Sequence, residues 1–359
     1  MKKINIFIVL LFLYSNTFTS VFAQKDSTDN KNLQITGFPS IGYNNSFGVQ
    51  LGAMGMMIFN INKSDTISPP SSLNAMGFYT GNKTWFGLLA QRLYFQQDNW
   101  RAVWAVRSGN INFQTFVDEL PSSSGLYIDY NTKSKFAYGA LSHKVAERLY
   151  AGLSFSYHHV NTTFYFDEPF HFERDSAKNL VGIGIPFEYD SRDYIFNPSK
   201  GIYAKLRTVF NQDWVGSDLN FNTLDLEANY YLPLKENVTL ANRLTAYTGL
   251  GEIPFEGQKV VGRNDIRGYT KGKYRGDQVY SLQSEYRYSF KNKFGVVGFA
   301  GLAAAFTSEK DKNKWSGILP GVGAGVRYKA IPARRINVGI DAAVGKEDWG
   351  VYFRIGEAF

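Results

Sequence analysis

Residues 279–290 read Val279-Tyr-Ser-Leu-Gln-Ser-Glu-Tyr-Arg-Tyr-Ser-Phe290. Successive side chains of an extended chain point to opposite faces, so Tyr280, Leu282, Tyr286, Tyr288 and Phe290 share one face while Gln283, Glu285 and Arg287 share the other. The same period recurs along the C-terminal half. Val181, Ile183, Ile185, Phe187 and Tyr189 oppose Gly182, Gly184, Glu188 and Asp190; Ile202, Ala204, Leu206 and Phe210 oppose Tyr203, Lys205 and Arg207. Leu224, Leu226, Ala228, Tyr230 and Leu232 oppose Asp225, Glu227 and Asn229, and Val238, Leu240, Leu244 and Ala246 oppose Thr239, Arg243 and Thr245. Val322, Ala324, Val326 and Tyr328 oppose Gly321, Gly323, Gly325 and Arg327, and Ile336, Val338, Ile340 and Ala342 oppose Asn337, Gly339 and Asp341. Every charge from Glu188 to Asp341 in these segments falls on the polar face. A soluble sandwich with one wet face alternates in the same way, but a charge facing lipid at mid-bilayer costs roughly 2–4 kcal/mol, so a transmembrane barrel demands this separation.

Composition and the N-terminus choose between the two. The chain has 359 residues, 16% aromatic and 44% hydrophobic, a formal charge of +8 and no cysteine. The hydrophobic fraction excludes global disorder, and the missing Cys excludes disulfide scaffolds, thiolate metal sites and cysteine nucleophiles. Mean hydropathy is −0.25, as expected of a polar interior inside an apolar band. Lys2 and Lys3 precede an apolar run from Ile6 to Tyr14 and a small-residue exit at Val21-Phe22-Ala23, the pattern of a secretory signal peptide over residues 1–23. Residues 24–33 then form a short periplasmic tail and 34–359 the barrel. Without Lys2 and Lys3 the charge is +6, too mild to imply nucleic acid. The longest later run of apolar residues and glycine, Gly295 to Phe306, falls short of the roughly 18–20 residues a membrane helix needs.

The expected fold is therefore all-β, a transmembrane antiparallel barrel of about sixteen strands. Strand starts are read near Gln34, Phe47, Leu73, Thr84, Trp100, Lys135, Leu149, Leu180, Gly201, Asn220, Asn237, Val279, Phe294, Leu319, Arg335 and Asp348. A stretch near Tyr127, between Pro121-Ser-Ser-Ser-Gly125 and Asn131-Thr-Lys, is read as a loop hairpin. Pro186 removes a ladder donor inside an apparent strand, which predicts a bulge.

Two further stretches carry more than alternation. The last strand, Asp348-Trp-Gly-Val-Tyr-Phe-Arg-Ile-Gly-Glu-Ala-Phe359, sets Trp349, Val351, Phe353, Ile355 and Phe359 on one face, with Glu357 the exception. A long connection, Glu252 to Gly276, contains Asp265-Ile-Arg-Gly-Tyr-Thr-Lys-Gly-Lys-Tyr-Arg-Gly276, and loops of this length usually have a job. Ile266-Arg267-Gly268-Tyr269 resembles the (V/I)-R-G-(F/Y) motif of the sixth extracellular loop of BamA/TamA-type outer-membrane assembly barrels, the bacterial surface antigen family. The resemblance covers roughly Phe38 to Phe359 and includes Tyr189-Asp-Ser-Arg-Asp193, Asn197-Pro-Ser-Lys-Gly201 and Gly321-Val-Gly-Ala-Gly-Val-Arg327. It implies that the loop folds into the lumen and that Arg267 meets acids on the wall. Glu285, on the strand just after the loop, is the expected partner, because an unpaired buried guanidinium costs several kcal/mol. The family strand F-x-D-x-G here reads Phe299-Ala-Gly301-Leu-Ala303, one acid fewer, so Asp341, Asp225 or Glu227 is expected to compensate. The glycine series opens no helix and is not a nucleotide loop; it leaves lumen space for the loop. The closing strand, marked by Gly350, Phe353, Ile355, Gly356 and Phe359, is similar to the signal that hands barrels to their insertion machinery.

The resemblance implies an outer-membrane protein of a Gram-negative bacterium that inserts or translocates proteins or lipids. About ten residues precede the barrel, so the family's periplasmic POTRA domains are absent and a separately encoded periplasmic partner is expected, with unfolded outer-membrane proteins as clients and lipid around the wall. The alternative is a passive channel or structural surface protein, and a third class is an enzyme on the same scaffold. No cofactor, metal, nucleic acid or enzymatic activity is expected. His143, His158, His159 and His171 do not converge, His158 and His159 facing opposite sides, and Asp167 to Asp175 reads as a solvated extracellular loop. No G-x-S-x-G occurs.

Overall fold

The computed structural model describes residues 33–44, 47–117, 126–166, 172–262, 265–270, 272–309 and 312–359. The proposed signal peptide and all but the last residue of the periplasmic tail, residues 1–32, lie outside them. One antiparallel sheet of eighteen segments makes up the described structure, and two pairs of segments are collinear, giving sixteen strands. In chain order these are β1 Leu33–Asn44, β2 Gly48–Phe59, β3 Ser71–Thr80, β4 Trp85–Phe95, β5 Trp100–Val117, β6 Leu126–Ala146, β7 Leu149–Phe166 and β8 Phe172–Gly184 continuing as Pro186–Asp190. They continue with β9 Gly201–Asn211, β10 Phe221–Lys235, β11 Val238–Gly251, β12 Gln278–Ser289, β13 Phe294–Glu309, β14 Lys312–Trp315 continuing as Leu319–Ile331, β15 Ile336–Gly345 and β16 Asp348–Ile355. Each pairs with the next, so the sheet is an up-and-down meander that curls until β16 lies beside β1. Among the described residues no helix is long and apolar enough to cross a membrane.

The alternation becomes an outside and an inside. Leu153, Leu282, Leu302, Val322, Val326 and Val344 are more than half exposed on the outer face, as lipid-facing side chains must be, whereas Glu285, Arg287, Arg327 and Asp341 are buried in the lumen. Lys205 and Arg207 alternate with outward Ile202 and Leu206, and so share the lumenal face with buried Tyr203. Tight turns use backbone that few residues adopt: Gln96, Gln97 and Asp98 all have positive φ, as do Arg148 and Glu347.

Four readings from sequence need correction. The stretch near Tyr127 is no separate loop hairpin, because Leu126 to Ala146 is a single strand whose first residues pair with Val117 to Phe113 of β5. Phe172 to Asp175 is not loop, since its backbone pairs with Phe166 to Thr163 of β7; residues 167–171, His171 among them, lie outside the described residues. Pro186 makes no bulge. The register against both neighbours is the same before and after Ile185, and the Ile185 amide, outside the ladder, donates to the Thr208 hydroxyl at 3.0 Å. Finally, Phe359 is not on the lipid face. Gly356 has φ +86°, which turns the chain inward, so Phe359 packs on lumenal Tyr203, Tyr231 and Ala241.

Candidate functional site

The 252–277 connection starts from β11, crosses the lumen and returns to β12. A short ladder, Lys259–Val260 against Arg275–Gly276, stiffens its stem. On one side Phe255 packs edge-on to Tyr130 of β6 and Phe164 of β7, with ring centroids 5.2 and 5.0 Å away, and the Arg275 guanidinium covers its other face. Tyr247 of β11 donates to the Gly257 carbonyl at 2.6 Å, and Lys259 reaches Asp225 of β10 at 3.5 Å. On the far side the tip enters a pocket made by β12 to β16. Ile266 and Tyr269 are buried there with Val261, Val279, Ala303, Ala305 and Leu319.

Arg267 sits at the centre of this tip. Its Nη2 donates to Glu285 and its Nη1 to Asp341, both at 2.6 Å, and its backbone N–H and Nε each meet the Gln283 amide oxygen at 3.3 Å. The guanidinium plane lies 3.3 Å from the centre of the Phe299 ring. A planar fork suits this arrangement: two carboxylates edge-on and an aromatic face below it. Glu285 also accepts from Arg287 at 2.8 Å, while Asp341 also accepts from Arg327 at 2.5 Å and Arg354 at 2.8 Å. Arg327 passes the network on to Glu357 at 2.7 Å, and Glu357 accepts from Asn337 at 2.6 Å. Glu285 and Asp341 are fully buried, so each carboxylate is tolerated only because guanidinium groups surround it.

Glycines make room for the tip. A Cβ at Gly321 would collide with the Arg267 carbonyl, one at Gly323 with the Phe299 ring, and one at Gly325 with the Asp341 carboxylate. Gly268 has φ +108° and lies against the backbone of Val344, where a Cβ would stand 2.7 Å from the carbonyl carbon. Its N–H donates to the Tyr352 hydroxyl at 2.8 Å. Tyr269 donates to the Pro320 carbonyl at 2.6 Å and accepts the Lys346 amide at 3.1 Å, and the Thr270 amide and hydroxyl both bond Asp348. The tip is thus tied to β14 and to the last hairpin, β15–β16.

Of the acids named from sequence, Glu285 and Asp341 meet Arg267. Asp225 and Glu227 do not: they lie on β10, where Asp225 pairs with Arg207 at 2.7 Å and Glu227 with Arg243 at 2.6 Å. Gln283 and Phe299, beside Gly301 in the strand register, fill the ground of the absent aspartate. Gly350 faces the loop, where a Cβ would come within 2.7 Å of the Thr270 methyl group. Sequence reading missed Gln283, Phe299, Arg287, Arg327, Arg354, Tyr352 and Glu357 as cage members. Gln283 and Arg287 were visible as neighbours of Glu285 on its own face, and Glu357 as the one charge breaking the apolar side of the last strand.

The second feature is the seam. β1 pairs only with β2 and β16 only with β15; among the described residues no ladder joins β1 to β16, although they are neighbours. Ile355 of β16 packs with Met56 and Ile58, buried side chains of β2, and with Ile336. The end of β16 therefore overlaps the inner side of the first hairpin instead of extending the sheet. Beyond it the Phe359 carbonyl accepts from Arg287 at 2.5 Å and the Ala358 carbonyl from Arg243 at 3.2 Å.

Comparison with known proteins gives a consistent picture. An Omp85 superfamily domain matches residues 20–359. No curated protein matches. Among solved structures, BamA from Haemophilus ducreyi lacking POTRA domains 1-3 superposes with a TM-score of 0.59 at 14% identity, over 90% of this chain and 70% of that one. CdiB from Acinetobacter baumannii gives 0.57 at 12%, over 90% and 60%, and CdiB from Escherichia coli 0.58 at 15%, over 89% and 62%. The chain thus spans less than two thirds of either CdiB.

Proposed function

This chain belongs to the Omp85 superfamily of outer-membrane barrels, and from that premise we propose that it inserts or translocates polypeptides at the outer membrane of a Gram-negative bacterium by parting its seam. The observation that carries the reading is the missing ladder between β1 and β16. Edge strands with unpaired N–H and C=O groups are templates for another strand, and in hydrocarbon, where each unsatisfied group costs several kcal/mol, a client strand finds its partners there. The wall supplies the edge and the anchored loop keeps the lumen from leaking. The reading assigns the barrel no catalysis and assigns client recruitment to a periplasmic partner.

A loop held across the lumen on both sides counts against a passive channel. Planar-bilayer recordings on the intact barrel should show low steady conductance. The seam itself is tested by locking it. The chain has no cysteine, so Ile41→Cys with Val351→Cys introduces the only thiols. Joining them with a short reducible linker should abolish client assembly, scored as heat-modifiable outer-membrane proteins in the membrane, and reduction should restore it. Full activity with the seam locked contradicts the proposal.

A further inference from the structure

Beneath the cage, among the turns joining β10 to β11, β12 to β13 and β14 to β15, the lumen opens into a polar cavity of about 700 Å³. Five cations line it, Arg287, Lys291, Arg327, Lys329 and Arg335, against two acids, Glu236 and Glu357. Glu357 is already engaged by Arg327 and Asn337. In the cage above, four guanidinium groups (Arg267, Arg287, Arg327, Arg354) share three side-chain carboxylates (Glu285, Asp341, Glu357), and Arg287 also donates to the Phe359 oxygen at 2.5 Å.

Two donors are left over. Arg287 Nη1 and Arg327 Nη2 are buried and have no hydrogen-bond acceptor among the described residues, on side chains that are 6% and 3% exposed. Arg327 Nη2 stands 4.0 Å from the Glu285 carboxylate. Buried polar groups are ordinarily satisfied, and buried guanidinium groups call for an oxyanion in particular, since the planar fork matches a carboxylate edge. Lys291, Lys329 and Arg335 stand at the mouth, Lys329 on the Phe290 and Asn292 carbonyls at 3.1 and 3.0 Å and Arg335 at 3.5 Å from Asp193, and their summed charge favours an anion there, while Arg287 and Arg327 stand deeper.

We propose that this mouth is an oxyanion-binding site whose occupant is an acidic, extended polypeptide segment. Asn197, Asn237 and Asn337 add amide groups along the same wall, and a side-chain amide can both donate to and accept from a peptide backbone. The inference rests on the reading above only in assigning this mouth to the periplasm, and hence the segment to a periplasmic partner. Binding to the purified barrel does not depend on that assignment.

The test uses the full chain in lipid nanodiscs and fluorophore-labelled hexaglutamate, read by anisotropy. Saturable binding is expected, weakened at least tenfold by Lys291→Gln/Lys329→Gln/Arg335→Gln and unchanged by Lys83→Gln at the opposite end. The three substitutions lie at the mouth, outside the cage, so heat-modifiability should be intact. Absence of saturable binding, equal binding by the triple variant, equal binding of hexalysine, or displacement of the peptide by inorganic phosphate at equal concentration overturns the inference. A barrel that survives seam locking with full activity yet binds the peptide refutes the assembly reading and retains this one.

Discussion

The wall from β11 to β16 and the seam between β16 and β1 share a strand and are built on opposite terms. In the wall each strand pairs with its neighbours, and the carboxylates of Glu285 and Asp341 each meet two or three guanidinium groups. At the seam no backbone ladder forms among the described residues, and apolar overlap of Ile355 on Met56 and Ile58 stands in its place. β16 belongs to both: Asp348, Tyr352 and Arg354 hold the loop and its cage from the lumen side while the strand's other edge is unpaired. Backbone ladders and lumen chemistry together hold the wall, and the edge we propose to open is the one where main-chain pairing is absent among the described residues.

The largest effect should follow from breaking the cage. Arg267→Glu leaves two buried carboxylates facing a third, and losing one partner of a buried pair costs about 3–5 kcal/mol, so heat-modifiable folded barrel should fall sharply in gel shift. Adding Glu285→Arg should recover only part of it, because the new cation stands beside Arg287. Gly325→Val drives a side chain into Asp341 and should cost about 1–3 kcal/mol by overpacking, read as a lower denaturation midpoint.

That much of the cage was legible because Arg267 lies within a long loop and Glu285 on the strand just after it, and alternation put the acids from Glu188 to Asp341 on the lumen side. Alternation has no angular coordinate, however. Asp225, Glu227 and Asp341 look alike along the chain, and only the path of the loop, pinned by Phe255 on one wall and Tyr269 on the other, brings Asp341 and not the β10 acids to Arg267. The inward course of Phe359 was hidden for a similar reason: one positive φ at Gly356 ends the period on which its placement rested. Gln283 and Phe299 were hidden because a missing aspartate reads as a loss until the register shows who stands in its place.

Smaller changes sharpen the seam side of the comparison. Glu357→Gln weakens the link between the turned-in tail and Arg327, about 1.5–3 kcal/mol for a charged hydrogen bond, and should quicken exchange at the Gly356 amide, which donates to Asn337 at 2.7 Å, with little change in β12. The smallest effect concerns the turn at residues 191–200. Partial burial raises the Asp193 carboxyl, but bonds from the Ser199 hydroxyl and the Ser199, Lys200 and Tyr194 amides outweigh it and hold the group below its ordinary value. A depressed carboxyl lends stability above its unfolded value of about 3.9 and loses it as pH falls. Proteolysis of this turn should therefore rise below about pH 4 in the parent chain, and Asp193→Asn should remove that dependence.

Hydrogen exchange on the intact barrel in lipid nanodiscs compares the two regions in one experiment. Amides of β1 and β16 that face the seam should exchange within seconds, while those of β12 and β13 stay protected for hours. Equal, lasting protection across β16 and β1 would mean a closed ladder there, and the account of a wall that parts at its seam would be contradicted.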